Sequence, residues 1–116
     1  MEIKYIGSGT RYSRAVIHNN TAYLAGNVAK DPAPTAAEQT RQILAQIENT
    51  LKLCGTSKSR LLTASIIFSD MRDYDEVNAV WDDWVSDGGS LPARTPIESK
   101  LVTPRHLVAI QVTAAV

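Results

Sequence analysis

The sequence predicts an α+β domain in which two helices pack on one face of a mixed, mostly antiparallel β-sheet. Two segments carry apolar residues at helical spacing behind a capping signal, and the segments around them alternate or are rich in β-branched residues. Their order is strand-strand-helix-strand-helix-strand-strand, which is typical of this class. With 116 residues, the chain has the length of one domain, residues 1–116.

Composition and charge restrict the partners that we expect. Twelve basic and twelve acidic residues give no net charge, so the sequence shows no electrostatic footprint for nucleic acid or for an anionic membrane. No segment resembles a signal peptide or a membrane span. Cys54 is the single cysteine, so an internal disulfide is impossible. These features predict a cytoplasmic protein without nucleic-acid or membrane partners.

A β-hairpin is predicted near the N-terminus. Residues 12–18 alternate, residues 21–26 are β-rich, and the dipeptide Asn19-Asn20 between them is a two-residue turn signal. Gly26 and Asn27 then interrupt the second strand. A glycine at such a point often marks the close approach of a ligand or of another backbone.

Both helices begin with a predicted capping box. Thr35 precedes Glu38 by three residues in the first helix, and Asp73 precedes Glu76 in the same way in the second. Gly55 is the expected residue that ends the first helix, and the Asp87-Gly88-Gly89 segment is expected to end the second. Cys54 is interpreted as a small apolar filler. Apolar stripes on the two helices predict core contacts, made by Ala36, Ile43, Leu44, Ile47 and Leu51 in the first and by Tyr74, Val77, Trp81, Trp84 and Val85 in the second.

The remaining strands indicate a sheet that is apolar on both faces. Residues 60–70 and residues 106–115 alternate with apolar groups on each side. Two helices cover only one face of such a sheet, so we expect a partner subunit to cover part of the other. The apolar residues assigned to that second face are Leu61, Ile67, Leu107 and Ala109.

Arg94 is the candidate functional residue, within an apolar turn predicted over residues 91–96. Pro92 and Pro96 restrict the backbone on both sides of it, and an alternating segment over residues 97–101 follows. A guanidinium on a stiff backbone suits bidentate recognition of a planar carboxylate. Judged alone, the pattern also fits an ordinary surface arginine.

Five short motifs, in order along the chain, resemble the Rid (YjgF-type) family of enamine/imine deaminases. They are Arg11-Tyr12-Ser13-Arg14-Ala15-Val16, Leu24-Ala25-Gly26-Asn27, Gln39-Thr40-Arg41-Gln42-Ile43-Leu44, Asp70-Met71-Arg72-Asp73-Tyr74 with Val77-Asn78-Ala79-Val80, and Pro92-Ala93-Arg94. The resemblance implies a chorismate-mutase-like fold, a homotrimer and clefts between subunits. It also implies hydrolysis of reactive 2-enamine or 2-imino acids to 2-keto acids and ammonia, without metal or organic cofactor.

The resemblance also implies which residues would form the substrate cleft. Arg94 would hold the substrate carboxylate, so that the neighbouring C=N carbon is oriented for water. The other cleft positions are Tyr12, Gly26, Asn27, Asn78, Pro96 and Gln111. We predict no metal site, because His18 and His106 are isolated from other ligands in the sequence.

Two departures from the family pattern leave the reaction open. Ala109 stands where family deaminases carry a glutamate that holds the attacking water, and Pro96 stands where a cysteine is common. Two main hypotheses remain: an imine deaminase, favoured by Arg94 and Tyr12, and a non-catalytic module that binds a small carboxylate or a partner protein, favoured by Ala109. A ribonuclease or translation inhibitor, as described for some family members, has no support from the neutral charge.

Overall fold

The computed structural model describes residues 2–87 and 91–116, and the predicted end of the second helix at Gly88 and Gly89 lies outside these residues. Within the described ranges there are seven strands and two α-helices. The elements are β1 (Lys4–Ser8), β2 (Ser13–His18), β3 (Thr21–Leu24), β4 (Asn27–Val28), α1 (Ala36–Leu53), β5 (Leu61–Phe68), α2 (Tyr74–Ser86), β6 (Ala93–Glu98) and β7 (Val108–Ala115).

The strands form one mixed sheet, as predicted. Its order is β1-β2-β3-β7-β5-β6, and β4 pairs with β7 beyond the end of β3. The β5–β6 pair is parallel, and the other pairs are antiparallel. Asn19 and Asn20 have φ angles of 51° and 63°, which are those of the predicted hairpin turn between β2 and β3.

Both helices pack on the same face of the sheet, and the core lies between them and the central strands. The largest fully buried apolar side chains come from α1, α2, β5 and β7, namely Ile43, Ile47, Leu51, Val77, Ile66, Phe68, Val108, Ile110 and Val112. These contacts confirm the predicted fold class. None of the helices in the described ranges is long and apolar enough to cross a membrane.

The ends of α1 follow the sequence signals. The Thr35 hydroxyl accepts a hydrogen bond from the backbone N–H of Glu38 at 3.2 Å. At the other end, Gly55 has a φ of +77°, and its N–H donates to Lys52 while the N–H of Thr56 donates to Leu51, each at 3.0 Å. These two bonds form a Schellman motif, so the predicted role of Gly55 is confirmed.

Replacing Gly55 with alanine should lower the free energy of unfolding by about 1 kcal/mol, because an L-residue is strained at positive φ. The cost is conformational, since no atom lies within 4 Å of the position of the added Cβ. Gly26→Ala is the control: its added Cβ also meets no atom within 4 Å, and its φ lies outside the positive region. Urea denaturation of both variants tests this, and equal midpoints would contradict it.

The predicted capping box of α2 is wrong. Asp73 lies at the N-cap without making a side-chain capping bond. Asp70 instead accepts from the N–H of Arg72 at 2.9 Å and caps a short 3₁₀ turn that leads into the helix. The Glu76 carboxylate accepts a bond of 2.7 Å from the N–H of Ala37. Glu76 therefore caps the other helix, because its side chain lies against the first turn of α1.

A second carboxylate joins the helices at their other ends. The Trp84 indole Nε1–H donates to Glu48 at 2.6 Å, and Trp84 is half-buried while Trp81 is buried. The interpretation of the two tryptophans as core residues is thus confirmed for Trp81 and holds in part for Trp84. Glu76, at the start of α2, contacts the start of α1, and Trp84, near the end of α2, contacts the later half of α1. The two helices therefore run in the same general direction.

The predicted second face of the sheet needs two corrections. A register shift between Leu61 and Thr63 interrupts the alternation of β5, so Leu61 is only 6% exposed and belongs to the helix-side core. Leu107 precedes β7 and also packs against that core. Ile67, which is half-buried, and Ala109 do lie on the uncovered face, where Ile67 is paired with Ile97 and Ala109.

The predicted turn over residues 91–96 is also wrong. Residues Ala93–Glu98 form β6, so Arg94 lies within an edge strand. The strand forms because its residues pair in parallel register with β5, Arg94 opposite Ala64 and Pro96 opposite Ile66. Pro96 is tolerated because an edge strand leaves one side of its backbone unpaired.

Candidate functional site

Arg94 lies against one face of α2. Its guanidinium donates a hydrogen bond of 2.5 Å to the Asn78 Oδ1. The guanidinium carbon is 5.8 Å from the centre of the Tyr74 ring and 5.7 Å from that of Trp81. Both distances suit cation–π contact. Tyr74, Asn78 and Trp81 follow one another at helical spacing, so one stripe of α2 positions this charge.

The positive charge of Arg94 has no acidic partner among the residues that the structure describes. Among the described residues Arg94 forms no ion pair, although its side chain is half-buried. A guanidinium carries five N–H donors, and Asn78 uses only part of this set. A partly desolvated cation with free donors next to aromatic rings is suited to bind a planar anion such as a carboxylate.

Tyr12, Gly26 and Asn27 lie in a different place, a cavity of about 330 Å³ between the sheet and α1. Tyr12 is 66% exposed at its rim. We call this cavity, which lies next to β4 and α1, the β4–α1 cavity. The other lining residues are Arg14, Ala25, Val28, Lys30, Gln46, Asn49 and Thr50. The structure therefore brings together three of the residues that the family resemblance assigned to substrate binding, without Arg94.

Hydrogen bonds fix the wall of the β4–α1 cavity. The Gln46 amide donates to Asn27 Oδ1 at 3.1 Å and to the Val28 carbonyl at 3.0 Å. The Asn27 amide donates to the Ala25 carbonyl at 3.0 Å. Gln46 thus connects the short strand β4 to α1 at the point where the chain, having left β3 after Leu24, resumes pairing with β7.

The Arg94 guanidinium and the β4–α1 cavity lie far apart within one chain. From β4 to β6 the sheet order requires three inter-strand steps of about 4.8 Å, or about 14 Å. Helix α1 contacts the Asn27 side and α2 contacts the Arg94 side. A small acid bound by Arg94 therefore cannot also contact Tyr12 of the same chain.

The remaining predicted residues divide between the two sheet faces. Pro96 shares the helix-covered face with Arg94, as their pairing with buried Ile66 and Ala64 requires. Gln111 lies on the uncovered face and donates to the Leu24 carbonyl at 3.0 Å. Ala109 is on that uncovered face too, paired with Val28 of β4 and 7% exposed.

Cys54 and His106 have structural surroundings. Burial raises the pKa of the Cys54 thiol, against a smaller opposing effect of Arg14, so the thiol is a poor nucleophile at neutral pH. The His106 ring contacts Thr103 Oγ1 through Nδ1 at 2.8 Å and the Ala29 carbonyl through Nε2 at 3.2 Å. In the described part of the chain, no group of three or more potential ligands is arranged to hold a metal ion.

A larger cavity, of about 410 Å³, lies between α1 and α2 and contains none of the predicted site residues. Sequence reasoning missed Arg14 and Lys30, which line the β4–α1 cavity. Arg14 occupies a variable position within the first family-like motif, so the motif gave no reason to select it. Lys30 lies in the loop before α1, and the residues next to it form no motif that indicates ligand binding.

The fold and these two polar groups define a small α+β protein with candidate sites for small ligands. Residues 2–116 match the family model described as endoribonuclease L-PSP. A RutC family protein from Haemophilus influenzae is 42% identical over 115 residues, which is 98% of each chain. The chain therefore belongs to the Rid (YjgF-type) family that its motifs indicated.

A solved structure and a relative with a named activity add to this. The crystal structure of a member of the YjgF protein family from Neisseria meningitidis is 45% identical, with a TM-score of 0.95 over 99% of this chain and 95% of that one. A bovine protein named 2-iminobutanoate/2-iminopropanoate deaminase is 28% identical over 109 residues, 89% of this chain and 78% of its own length.

Proposed function

We propose that the protein hydrolyses reactive 2-enamine or 2-imino acids to 2-keto acids and ammonia. The observation that carries this proposal is the unneutralised guanidinium of Arg94, held by Asn78 beside two aromatic rings. The name of the bovine relative, 2-iminobutanoate/2-iminopropanoate deaminase, supports the same reaction. In it, water adds to the C=N carbon, the C–N bond breaks, and the nitrogen leaves as ammonia.

Arg94 serves this reaction by binding and orientation. A 2-imino acid carries its carboxylate directly beside the electrophilic carbon, so a bidentate guanidinium fixes the direction in which that carbon faces. Restricting the substrate in this way converts a random encounter with water into an oriented one. Asn78 and the rings of Tyr74 and Trp81 keep the guanidinium in place as the substrate enters.

The complete cleft requires two copies of the chain. Arg94, Asn78 and Pro96 form one half, and Tyr12, Gly26 and Asn27 form the other, about 14 Å away in the sheet of the same chain. We propose that one half from each of two neighbouring subunits meet in a homotrimer. The uncovered sheet face, with Ile67 and its edge-strand neighbour Ile97, supplies apolar surface for this assembly.

Light scattering at micromolar concentration should give a mass of three times the 12.6 kDa of one chain. Ile67→Lys on the uncovered face should shift the mass toward that of the monomer, because it places a charge in a buried apolar contact. Ser86→Lys, at an exposed position of α2, is the control that should remain trimeric. A monomeric wild type would remove the composite cleft from the proposal.

Ala109 supports an alternative, a Rid-like module that binds a small carboxylate or a partner protein with weak or no catalysis. No carboxylate stands at that position to hold the attacking water. An assay of imino-acid hydrolysis decides between the two proposals. Imino acids generated from several amino acids are followed as ammonia release, with wild type and Arg94→Ala side by side. A deaminase gives turnover that depends on Arg94, whereas a binding module gives none above the spontaneous rate.

A further inference from the structure

The β4–α1 cavity carries positive charge that the proposed reaction does not use. Arg14 and Lys30 both line it, and no aspartate or glutamate is among its lining residues. Neither cation takes part in an ion pair within the described residues. A cavity that combines two cations with no carboxylate attracts anions.

The Arg14 guanidinium is held in position before any ligand arrives. It donates a bond of 2.8 Å to the Oγ1 of Thr50, which is 3% exposed. The aliphatic part of the side chain crosses Gly7, where an added Cβ would come within 2.7 Å of the Arg14 Cδ. A pre-positioned guanidinium loses less side-chain entropy when it binds an anion, which favours its use as a binding group.

Arg14 and Tyr12 also border an adjoining cavity of about 280 Å³ that Arg11 lines. Gln46 and Asn27 already use their amides to build the wall, so the free donors of the β4–α1 cavity come from Arg14, Lys30, Tyr12 and Asn49. These groups lie beside Gly26, where the proposed substrate site brings the backbone close to the ligand.

We infer that Arg14 and Lys30 bind a second, distal carboxylate of the substrate, so that the site prefers dicarboxylic 2-imino and 2-keto acids. The inference rests on the proposed function, because Tyr12, Gly26 and Asn27 belong to both. Arg94 of one subunit holds the carboxylate next to the reacting carbon, and Arg14 and Lys30 of its neighbour hold the far one. The β4–α1 cavity, at about 330 Å³, has room for the CH2–CH2–carboxylate arm of such an acid.

Calorimetric titration of the assembled protein with two stable 2-keto acids tests this. We expect wild type to bind 2-ketoglutarate at least about tenfold more tightly than 2-ketobutyrate, as one charge-assisted contact provides. Arg14→Gln and Lys30→Gln should each lose most of this preference and leave 2-ketobutyrate affinity within about twofold. Arg41→Gln, at an exposed position of α1 outside the β4–α1 cavity, and Lys100→Gln, beyond β6, remove the same charges elsewhere and should keep it.

Several outcomes would overturn the inference. They are equal binding of the two acids by wild type, equal weakening of both acids in the Arg14 and Lys30 variants, and loss of preference in the controls. Lys30→Gln should fold even if Arg14→Gln does not, because the Lys30 side chain is exposed and makes no hydrogen bond among the described residues. If 2-ketobutyrate binds through Arg94 without a preference for the dicarboxylate, the inference alone fails. If neither acid depends on Arg94, the proposed function fails with it.

Discussion

Replacing Arg94 with alanine should weaken the binding of pyruvate or 2-ketobutyrate by about tenfold to a hundredfold. The loss corresponds to one charge-assisted pair, about 1.5–3 kcal/mol. Arg94→Lys should lose nearly as much, because an ammonium keeps the charge but cannot match both carboxylate oxygens in one plane. Turnover of imino acids should fall with both variants, since the carboxylate no longer orients the reacting carbon.

Calorimetric titration checks the binding, and ammonia release checks the turnover. Arg72→Ala is a matched control, because it removes an exposed arginine that pairs with Asp70 just before α2. The fold should survive in all variants, since Arg94 is a half-buried residue of an edge strand and is not part of the apolar core. Unchanged affinities in Arg94→Ala and Arg94→Lys would identify Arg94 as a structural residue and remove the main support for the deaminase.

Replacing Ala109 with glutamate should increase imino-acid hydrolysis by about 10² to 10⁴-fold, the range expected for a well-placed general base. Ala109 pairs with Val28, directly after the Gly26–Asn27 corner of the proposed cleft. The family resemblance assigns the water-holding carboxylate to this position, so we expect a glutamate here to hold a water near the C=N carbon. Wild type, which has a methyl group at this position, should be slow. Because a base acts only when ionised, the gain should disappear as the pH falls below the pKa of the new carboxyl group.

Ala109→Gln separates chemistry from shape, because it adds nearly the same volume without a basic group. It should bind 2-keto acids like Ala109→Glu and remain as slow as wild type. Family-typical rates in wild type, unchanged by the glutamate, would show that another group positions the water. Gln111, which lies two residues further along the same uncovered face, would then be the first residue to test.

Local sequence signals predicted the fold well. The Asn19-Asn20 turn, the Thr35 cap and the Gly55 terminus each act through neighbouring backbone atoms, so a few residues decide them. The errors have long-range causes. Glu76 caps Ala37, which is 39 positions away, and β6 forms because β5 is there to pair with it. The residues next to Glu76 or next to β6 in the sequence do not identify Ala37 or β5 as the partner.

The candidate site was predictable only in part. The family resemblance selected Arg94 and Asn78, and their hydrogen bond supports treating them as one unit. It also selected Tyr12, Gly26 and Asn27 but could not show that they lie in a separate cavity of the same chain. Arg14 could be selected only from the structure, because its role depends on the contacts that β2 makes with Gly7 of β1 and with Thr50 of α1.

Each helix contributes one glutamate that forms a hydrogen bond to the other helix, and these two bonds fix the position of α2 relative to α1. Glu48 of α1 holds Trp84 of α2, and Glu76 of α2 holds Ala37 of α1. The two bonds are separated by about 12 Å along α2, so they prevent it from sliding or turning as a rigid rod. Asn78 lies between them. We therefore expect substitutions at positions 48 and 76 to shift Asn78 although neither glutamate bonds to Arg94, and substitutions at exposed α1 positions such as Lys52 to have less effect.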